Sequence, residues 1–572
     1  MGNSSRSVYP LCVVLCACVA QVGPGSSGGG GGTGGTGGIG GNGGSGESGG
    51  AGGGTAGGSG GGTSSVNLDA PLTPGDPGAA DVKFEVHSNA GRHPISPLIY
   101  GTNQPVASTH YALQRMGGNR LTAFNWENSA SNAGVDYMFQ NDNHLSSSDV
   151  PGAAVTAQFD QAKAASASVL LTVPIVDYVA ADKLGGGDVR NSGANYLTTR
   201  FKQNRATKGA PLSATPDATD AYVNQDEFVS WVKTAAGSVP TLFSLDNEPD
   251  LWSSTHPEVH PAAVTYAELV TRTLSFARAI KGVWPEAPVT GFVSYGWNGY
   301  VNLQNATDAS GKPEFIDYFL DQVSAASTSD GHRLVDYLDL HWYPEAKGGG
   351  TRIIGNDTTA AVVAARVQAS RSLWDTTYSE TSWIASALGQ PIRLLPRLKD
   401  KIAAHYPGTQ LAFTEWNYGG GNDISGAVAC ADVLGIFGRD GVGLATYWKL
   451  NGTEAYADAA IAGYRNFDGA SGAFGDTSLE AISSSDALAS IYASVDAANP
   501  SRTVLVAINK DTVAHTAALR LAHPVQYAHL EVHTLTSASS SWVAAAAVDA
   551  KATNAFVYTL PALSVSVLVP KP

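Results

Sequence analysis

The stretch LFSLDNEPDLW, Leu242 to Trp252, decides how the rest of the chain is read. Leu242, Phe243 and Leu245 read as the buried part of a short strand. Asp246, Asn247 and Glu248 then arrive together, and Pro249 removes a backbone donor and stops ladder pairing. A strand that ends in polar groups beside an aromatic is how a barrel enzyme equips the C-terminal mouth of its barrel. Alone, the NEP tripeptide reads more readily as a polar turn after a core strand. A second stretch, QLAFTEWN from Gln410 to Asn417, repeats the pattern with Glu415 at its end and an aromatic beside it. Two carboxylates, each closing a buried strand, suit cleavage of a glycosidic bond.

Outward from these two, the chain alternates strand-like runs with helical ones. The runs are Ile99 to Asn103, one ending at Asn119 to Thr122, Val169 to Pro174, and Leu242 to Glu248. Val289 to Ser294, Tyr337 to Tyr343, Gln410 to Glu415 and Ala445 to Trp448 complete them. Eight such units predict a (β/α)8 TIM-like barrel over residues 98–480. Asn224 with Glu227, and Thr265 with Glu268, have capping-box spacing ahead of apolar helical faces. Val176 to Tyr222 is Gly-rich and polar and carries no assignable regular structure; as a loop on the catalytic face it is expected to be functional. Beyond Trp448 the helical period fades, and short strands predict a small antiparallel β-sandwich over residues 481–572. An N-terminal strand at Val82 to Val86, within residues 81–97, is expected to join it. The fold class is therefore α/β plus β.

The 572 residues carry a formal net charge of -15, which argues against nucleic-acid binding. Of the four cysteines, Cys12, Cys16 and Cys18 lie in the leader, leaving only Cys430 in the folded part and no internal disulfide. Arg6 followed by the apolar run Leu11 to Ala20 fits an export signal within residues 1–22, too short to span a bilayer. Leu15-Cys16-Ala17-Cys18 resembles a bacterial lipobox with Cys18 acylated after cleavage; an ordinary signal cut near Ala20 is the alternative. Residues 23–80 read as a Gly/Ser-rich linker that buries nothing. The expectation is an exported monomer at the cell surface, outer-membrane anchored if lipidated, touching the membrane only through that lipid.

The strand ends gather Arg120, Asn247, Glu248, His341, Tyr343, Glu415 and Trp448. With RMGGNRLTAFNWEN (Arg115 to Asn128), SLDNEPDLW, LDLHWYPEA (Leu338 to Ala346) and TEWNYGGG (Thr414 to Gly421), the chain resembles a glycoside hydrolase of family 44. The resemblance implies a retaining (β/α)8 endo-β-1,4-glucanase or xyloglucanase acting on β-glucan, with Glu248 as acid/base and Glu415 as nucleophile. It implies no cofactor for catalysis. A mannanase or xylanase of the same clan, or an inactive carbohydrate-binding barrel, are the rivals.

In that scheme Asn247 binds the hydroxyl beside the anomeric carbon. His341 and Tyr343 hold the nucleophile or relay hydrogen bonds, and Arg120 keeps Glu415 ionised. Trp126, Trp252, Tyr295, Trp297, Trp416 and Trp448 follow or end strands and are candidates for stacking on sugars, about half of them expected to be core instead. Glu127 is a candidate either for binding sugar hydroxyls or, with Asp182, for a structural calcium site, which takes carboxylate oxygens.

Overall fold

The structure, a computed structural model, describes residues 66–103, 106 and 108–572. The expected export signal, Cys18 and the part of the expected linker up to residue 65 lie outside the described residues. Eight parallel strands close a barrel: Gly101–Thr102, Leu113–Met116, Ser168–Val173, Thr241–Leu245, Val289–Ser294, Tyr337–Trp342, Gln410–Trp416 and Leu444–Tyr447. They are numbered first to eighth in that order. Leu113, Leu170, Leu242, Tyr337, Ala412 and Leu444 fill the barrel floor as one apolar layer.

The second strand departs from expectation. It ends at Met116, and Asn119–Ala123, read as its end, is a 3-10 turn. Gly117 and Gly118 cause the stop. A side chain at Gly117 would start 2.3 Å from the Arg115 guanidinium carbon, and Gly118 sits at φ +91 against the Trp448 ring. The capping boxes fare unequally. Thr265 Oγ1 accepts from Glu268 N at 3.2 Å, starting helix Tyr266–Val283. Asn224 makes no cap bond, because Glu227 turns instead to Lys208 and Ser213 N. Nor is the segment after the third strand unstructured: Tyr178–Ala180, Phe201–Arg205 and Tyr222–Asn224 form a three-stranded sheet on the catalytic face.

Outside the barrel, ten strands form one continuous curled sheet around a second core that includes Phe84, Ile491, Leu519, Phe556 and Leu568. Val82–His87 joins it, antiparallel to Thr477–Ser483 and parallel to His515–Ala522. Two expected boundaries move. Thr477–Ser483 crosses residue 480 into the sheet. Residues 66–80, expected to be linker, are instead packed on the sheet: Leu68 sits in the second core and Leu72 N donates to His523 O.

Helix Ile424–Arg439, buried along almost its whole length, seats the sheet on the barrel. Its small residues permit this: Gly435 faces the Tyr492 ring so closely that any Cβ would overlap it. At its centre Asp432 pairs with Lys510 at 2.7 Å, both side chains fully buried. A helix apolar all round is a core helix, and here it is shared by both units.

Candidate active site

Along the seventh strand Ala412 and Thr414 face the barrel interior, so strict alternation would aim Trp416 inward and Glu415 away. A register shift between Phe413 and Trp416 breaks the period, and similar shifts fall at Phe292/Ser294 and Leu340/His341. Bulges re-aim side chains at barrel rims. The result sets His341 beside Glu415 in register. On the fourth strand the same turn inward is made by left-handed backbone: Asp246 has φ +68, Glu248 φ +43, and neighbouring Val293 φ +59. Such conformations cost roughly 1–3 kcal/mol each and persist only where the surroundings enforce them. Glu248 N donates to Val293 O at 2.9 Å, and the Asp246 carboxylate accepts from Thr122 Oγ1 (2.7 Å), Ile175 N (2.6 Å) and Asn247 N (2.8 Å).

Glu248, His341 and Glu415 converge. One carboxylate oxygen from each glutamate and one nitrogen of His341 all lie within 4.8 Å of one another. His341 Nδ1 is 2.9 Å from Glu248 Oε1 and 3.5 Å from Glu415 Oε2. Tyr343 donates to Glu415 Oε2 at 2.8 Å.

The cation that reaches Glu415 is Arg115, not Arg120. Arg115 is fully buried and donates from Nη1 to Glu415 Oε1 (2.9 Å) and Asn103 Oδ1 (2.9 Å). Its Nη2 donates to Asn247 Oδ1 at 2.8 Å, which fixes the Asn247 amide oxygen and leaves its nitrogen without a bond among the described residues. Arg120, read as sitting at a strand end, leaves the 3-10 turn instead and pairs with Asp142 at 2.6 Å. The sequence signal for Arg115 was present. It stands two residues after inward Leu113, with Met116 between it and two glycines.

Burial pushes Glu248 up to about 7, opposed by Arg115 and assisted by the nearby Asp136 carboxylate. Its side chain is still 21% exposed to the cleft. Burial drives His341 down to about 4 despite Glu415, so the ring is neutral near pH 7. Asp250, two residues after Glu248, is also raised to about 7 by burial and accepts from Ser294 Oγ at 2.6 Å. Neither Asp136 nor Asp250 was singled out from the sequence. Asp136 comes near Glu248 through loop packing, whereas Asp250 is held near it by the chain itself. A protonated carboxyl facing a carboxylate bonded to a guanidinium and a phenol can donate a proton on one side of a substrate and attack from the other.

Three candidate sugar platforms are core residues. Trp126 is 1% exposed and stacks on Phe228; Trp252 is fully buried, its indole N–H 3.2 Å from Asp246 Oδ1; Trp416 is 1% exposed among Tyr418, Phe437 and Tyr447. Trp448 is half-buried at the mouth, its ring over Gly118. Tyr295 and Trp297, also half-buried, follow the fifth strand; Tyr295 bonds Gln304, and Trp297 packs on Tyr300. The paired calcium ligands do not fit a cation. Glu127 is bonded to Lys202 at 2.7 Å and Asp182 to Arg200 at 2.7 Å, so each carboxylate already holds a protein charge.

Comparison with known proteins places this geometry. The family model described as Glycoside hydrolase family 44 matches residues 130–346. "Endoglucanase A" of Paenibacillus lautus is 40% identical over 511 residues, covering 85% of this chain and 72% of that protein. "Beta-mannanase/endoglucanase A" of Caldicellulosiruptor saccharolyticus is 38% identical over 84% of this chain but only 38% of its own length. A solved family 44 xyloglucanase from Paenibacillus polymyxa, with xyloglucan, superposes with a TM-score of 0.82 at 42% identity, covering 86% of this chain and 99% of that one.

Proposed function

The chain belongs to glycoside hydrolase family 44, and on that premise we propose that it cleaves β-1,4-glucosidic bonds inside plant cell-wall glucans, xyloglucan among them, with retention of configuration. The observation that carries the retaining reading is the approach of the two carboxyls. Oxygens of Glu248 and Glu415 lie within 4.8 Å, near the ~5–5.5 Å of a double displacement and short of the ~6.5–9.5 Å that admits an inverting water. Glu248, protonated below about pH 7, gives its proton to the leaving oxygen while Glu415 bonds to the anomeric carbon. Glu248, now a base, then takes a proton from water as that water displaces Glu415. Asn247, held by Arg115, offers its amide N–H to the hydroxyl beside the anomeric carbon. Tyr343 and Arg115 hold Glu415 in line.

Proton NMR of the first product from a soluble β-glucan tests this directly. A β anomer before mutarotation fits the proposal; an α anomer defeats it. Product profiles on cellulose derivatives, xyloglucan, mannan and xylan fix the polysaccharide, mannan being the rival that the Caldicellulosiruptor relative's name brings forward. Anchoring through Cys18 remains part of the proposal. Cys18→Ser should move the enzyme from the membrane to the soluble fraction, and an unchanged distribution removes the lipid anchor.

A further inference from the structure

Two large apolar side chains adjacent in sequence stand out into solvent beside the site: Tyr137 is 54% exposed and Met138 58%. Phe139, the next residue, turns inward under the Arg190 guanidinium, 4.7 Å from the ring centre. The exposure does not come from a loosely held tip. Asn132 Oδ1 accepts from Gly134 N at 2.7 Å, its Nδ2 donates to Phe139 O at 3.1 Å, and Phe139 N donates to Gly134 O at 2.9 Å. Within that clamp Met138 and Phe139 are held left-handed at φ +55 and +52. Strain of this kind is kept where the surroundings over-determine it, at ligand clamps among other places. Here it presents apolar surface to water rather than burying it, so folding gains nothing from it.

The tip is fixed to the proton donor's flank of the cleft. Gly134 packs so tightly on Thr255 O and the His256 ring that a Cβ would lie 2.4 and 2.7 Å from them. His256 ends the short helix that follows Glu248, and its ring is bonded to Glu258 (2.7 Å) and to Asn119 O (2.8 Å). Asp136, at the base of the tip, is the carboxylate felt by Glu248. A neighbouring turn, tied on by Gly185 N to Asn141 O at 2.8 Å, adds Leu184, 79% exposed.

We propose that Tyr137, supported by Met138, is a platform on which a glucosyl ring of the bound chain stacks, away from the bond being cleaved. This rests on the glucan reading above. A flat phenol presents a face to the axial C–H groups of a glucose unit, and a thioether adapts its shape to the ring edge. A rigid mount spares the ordering entropy that a flexible loop would spend on binding.

The test uses the full chain and compares Tyr137→Ala, Tyr137→Phe and Met138→Ala with the unaltered enzyme on a soluble β-glucan. Thermal melting is followed in parallel. Tyr137→Ala should raise KM about tenfold with kcat within about twofold, Met138→Ala should raise it less, and Tyr137→Phe should keep the original KM. All three melting temperatures should stay near that of the unaltered enzyme. Calorimetric titration of cellohexaose into Glu415→Gln and into the Glu415→Gln/Tyr137→Ala double variant should show the same tenfold loss without turnover. An unchanged KM and an unchanged cellohexaose affinity in the Tyr137→Ala forms, with the unaltered enzyme active, overturn the platform and leave the glucan reading standing. An unaltered enzyme that neither binds nor cleaves glucan overturns both.

Discussion

At the floor of the barrel Leu113, Leu170, Leu242, Tyr337, Ala412 and Leu444 close a dry layer, and two residues further along the same six strands the layer is polar. Arg115, Thr172, Ser244, Asp339, Thr414 and Thr446 are all buried there. Side chains two apart share a face, so one strand period carries the interior from hydrocarbon to charge in a single step. The floor needs only volume. The middle layer bonds most of the polar groups it buries: Asp339 accepts from Thr290 Oγ1 (2.6 Å) and Thr414 Oγ1 (2.7 Å), and Thr172 Oγ1 donates to Met116 O (2.9 Å), while Ser244 Oγ and Arg115 Nε have no partner among the described residues. Above it the regular alternation is abandoned for bulges and left-handed turns, which bring Glu248 and Glu415 together. Stability and chemistry are thus stacked along the same strands, and substitutions at the two levels should fail in different ways.

The largest effect is expected at the join of the two levels. Arg115→Met leaves Glu415 buried without its cation and Asn247 without its tether. Breaking a buried pair this way costs about 3–5 kcal/mol, so chemical denaturation should show a loss of that size, and kcat should fall at least about a hundredfold. Arg120→Met, removing a partly exposed pair with Asp142, should change both far less. Equal losses in the two variants would erase the distinction between them.

At the floor, Leu170→Ala opens a cavity in the dry layer. Destabilisation of about 2–5 kcal/mol is expected, with kcat/KM unchanged well below the melting temperature. A large loss of kcat in a protein that is still folded would show that floor and rim are not separable.

The smallest effect is a shift in pH dependence. The proton donor works while Glu248 is protonated, so kcat/KM should decline as pH rises through about 7. For stability the sign is the same. Glu248 is raised from 4.5 to about 7, so the native state binds the extra proton. That contribution is fully present below about 4.5 and is lost as pH climbs to about 7. Asp136 pushes Glu248 upward, so Asp136→Asn should move the basic limb of the kcat/KM profile to lower pH by a fraction of a unit. A shift to higher pH, or none, would remove Asp136 from the electrostatics of the site.

Most of the barrel was legible because each strand is a short apolar run with its own period and each is followed by a helical one. Val289–Ser294 coincides with the expected run residue for residue. Glu248, His341, Tyr343 and Glu415 were legible because each ends such a run. What escaped was set by packing between segments distant in the chain. Arg115 was passed over because the second strand was read as ending at Asn119 to Thr122, whereas it stops at Met116 and Gly117 leaves room for the guanidinium. Trp252 and Trp416 carry polar N–H groups beside catalytic motifs and read as binding surface, yet neighbouring rings and the Asp246 carboxylate enclose them. The three-stranded sheet after the third barrel strand was hidden because its strands run three to five residues and pair across turns that show no period. The strand Ser539–Asp549 escaped because most of its residues face solvent, leaving no buried alternation to read.

The central claim is that Glu248 moves the proton and Glu415 forms the covalent bond, and azide rescue of the two alanine variants separates these roles. With an aryl glucoside whose leaving group needs no protonation, Glu248→Ala should still form the glycosyl-enzyme and then stall for lack of a base. Added azide should restore turnover and yield the β-glycosyl azide. Glu415→Ala can form no covalent intermediate, so azide entering the vacated space should yield the α-azide. A β-azide from Glu415→Ala together with an α-azide from Glu248→Ala would contradict the account and reverse the two assignments.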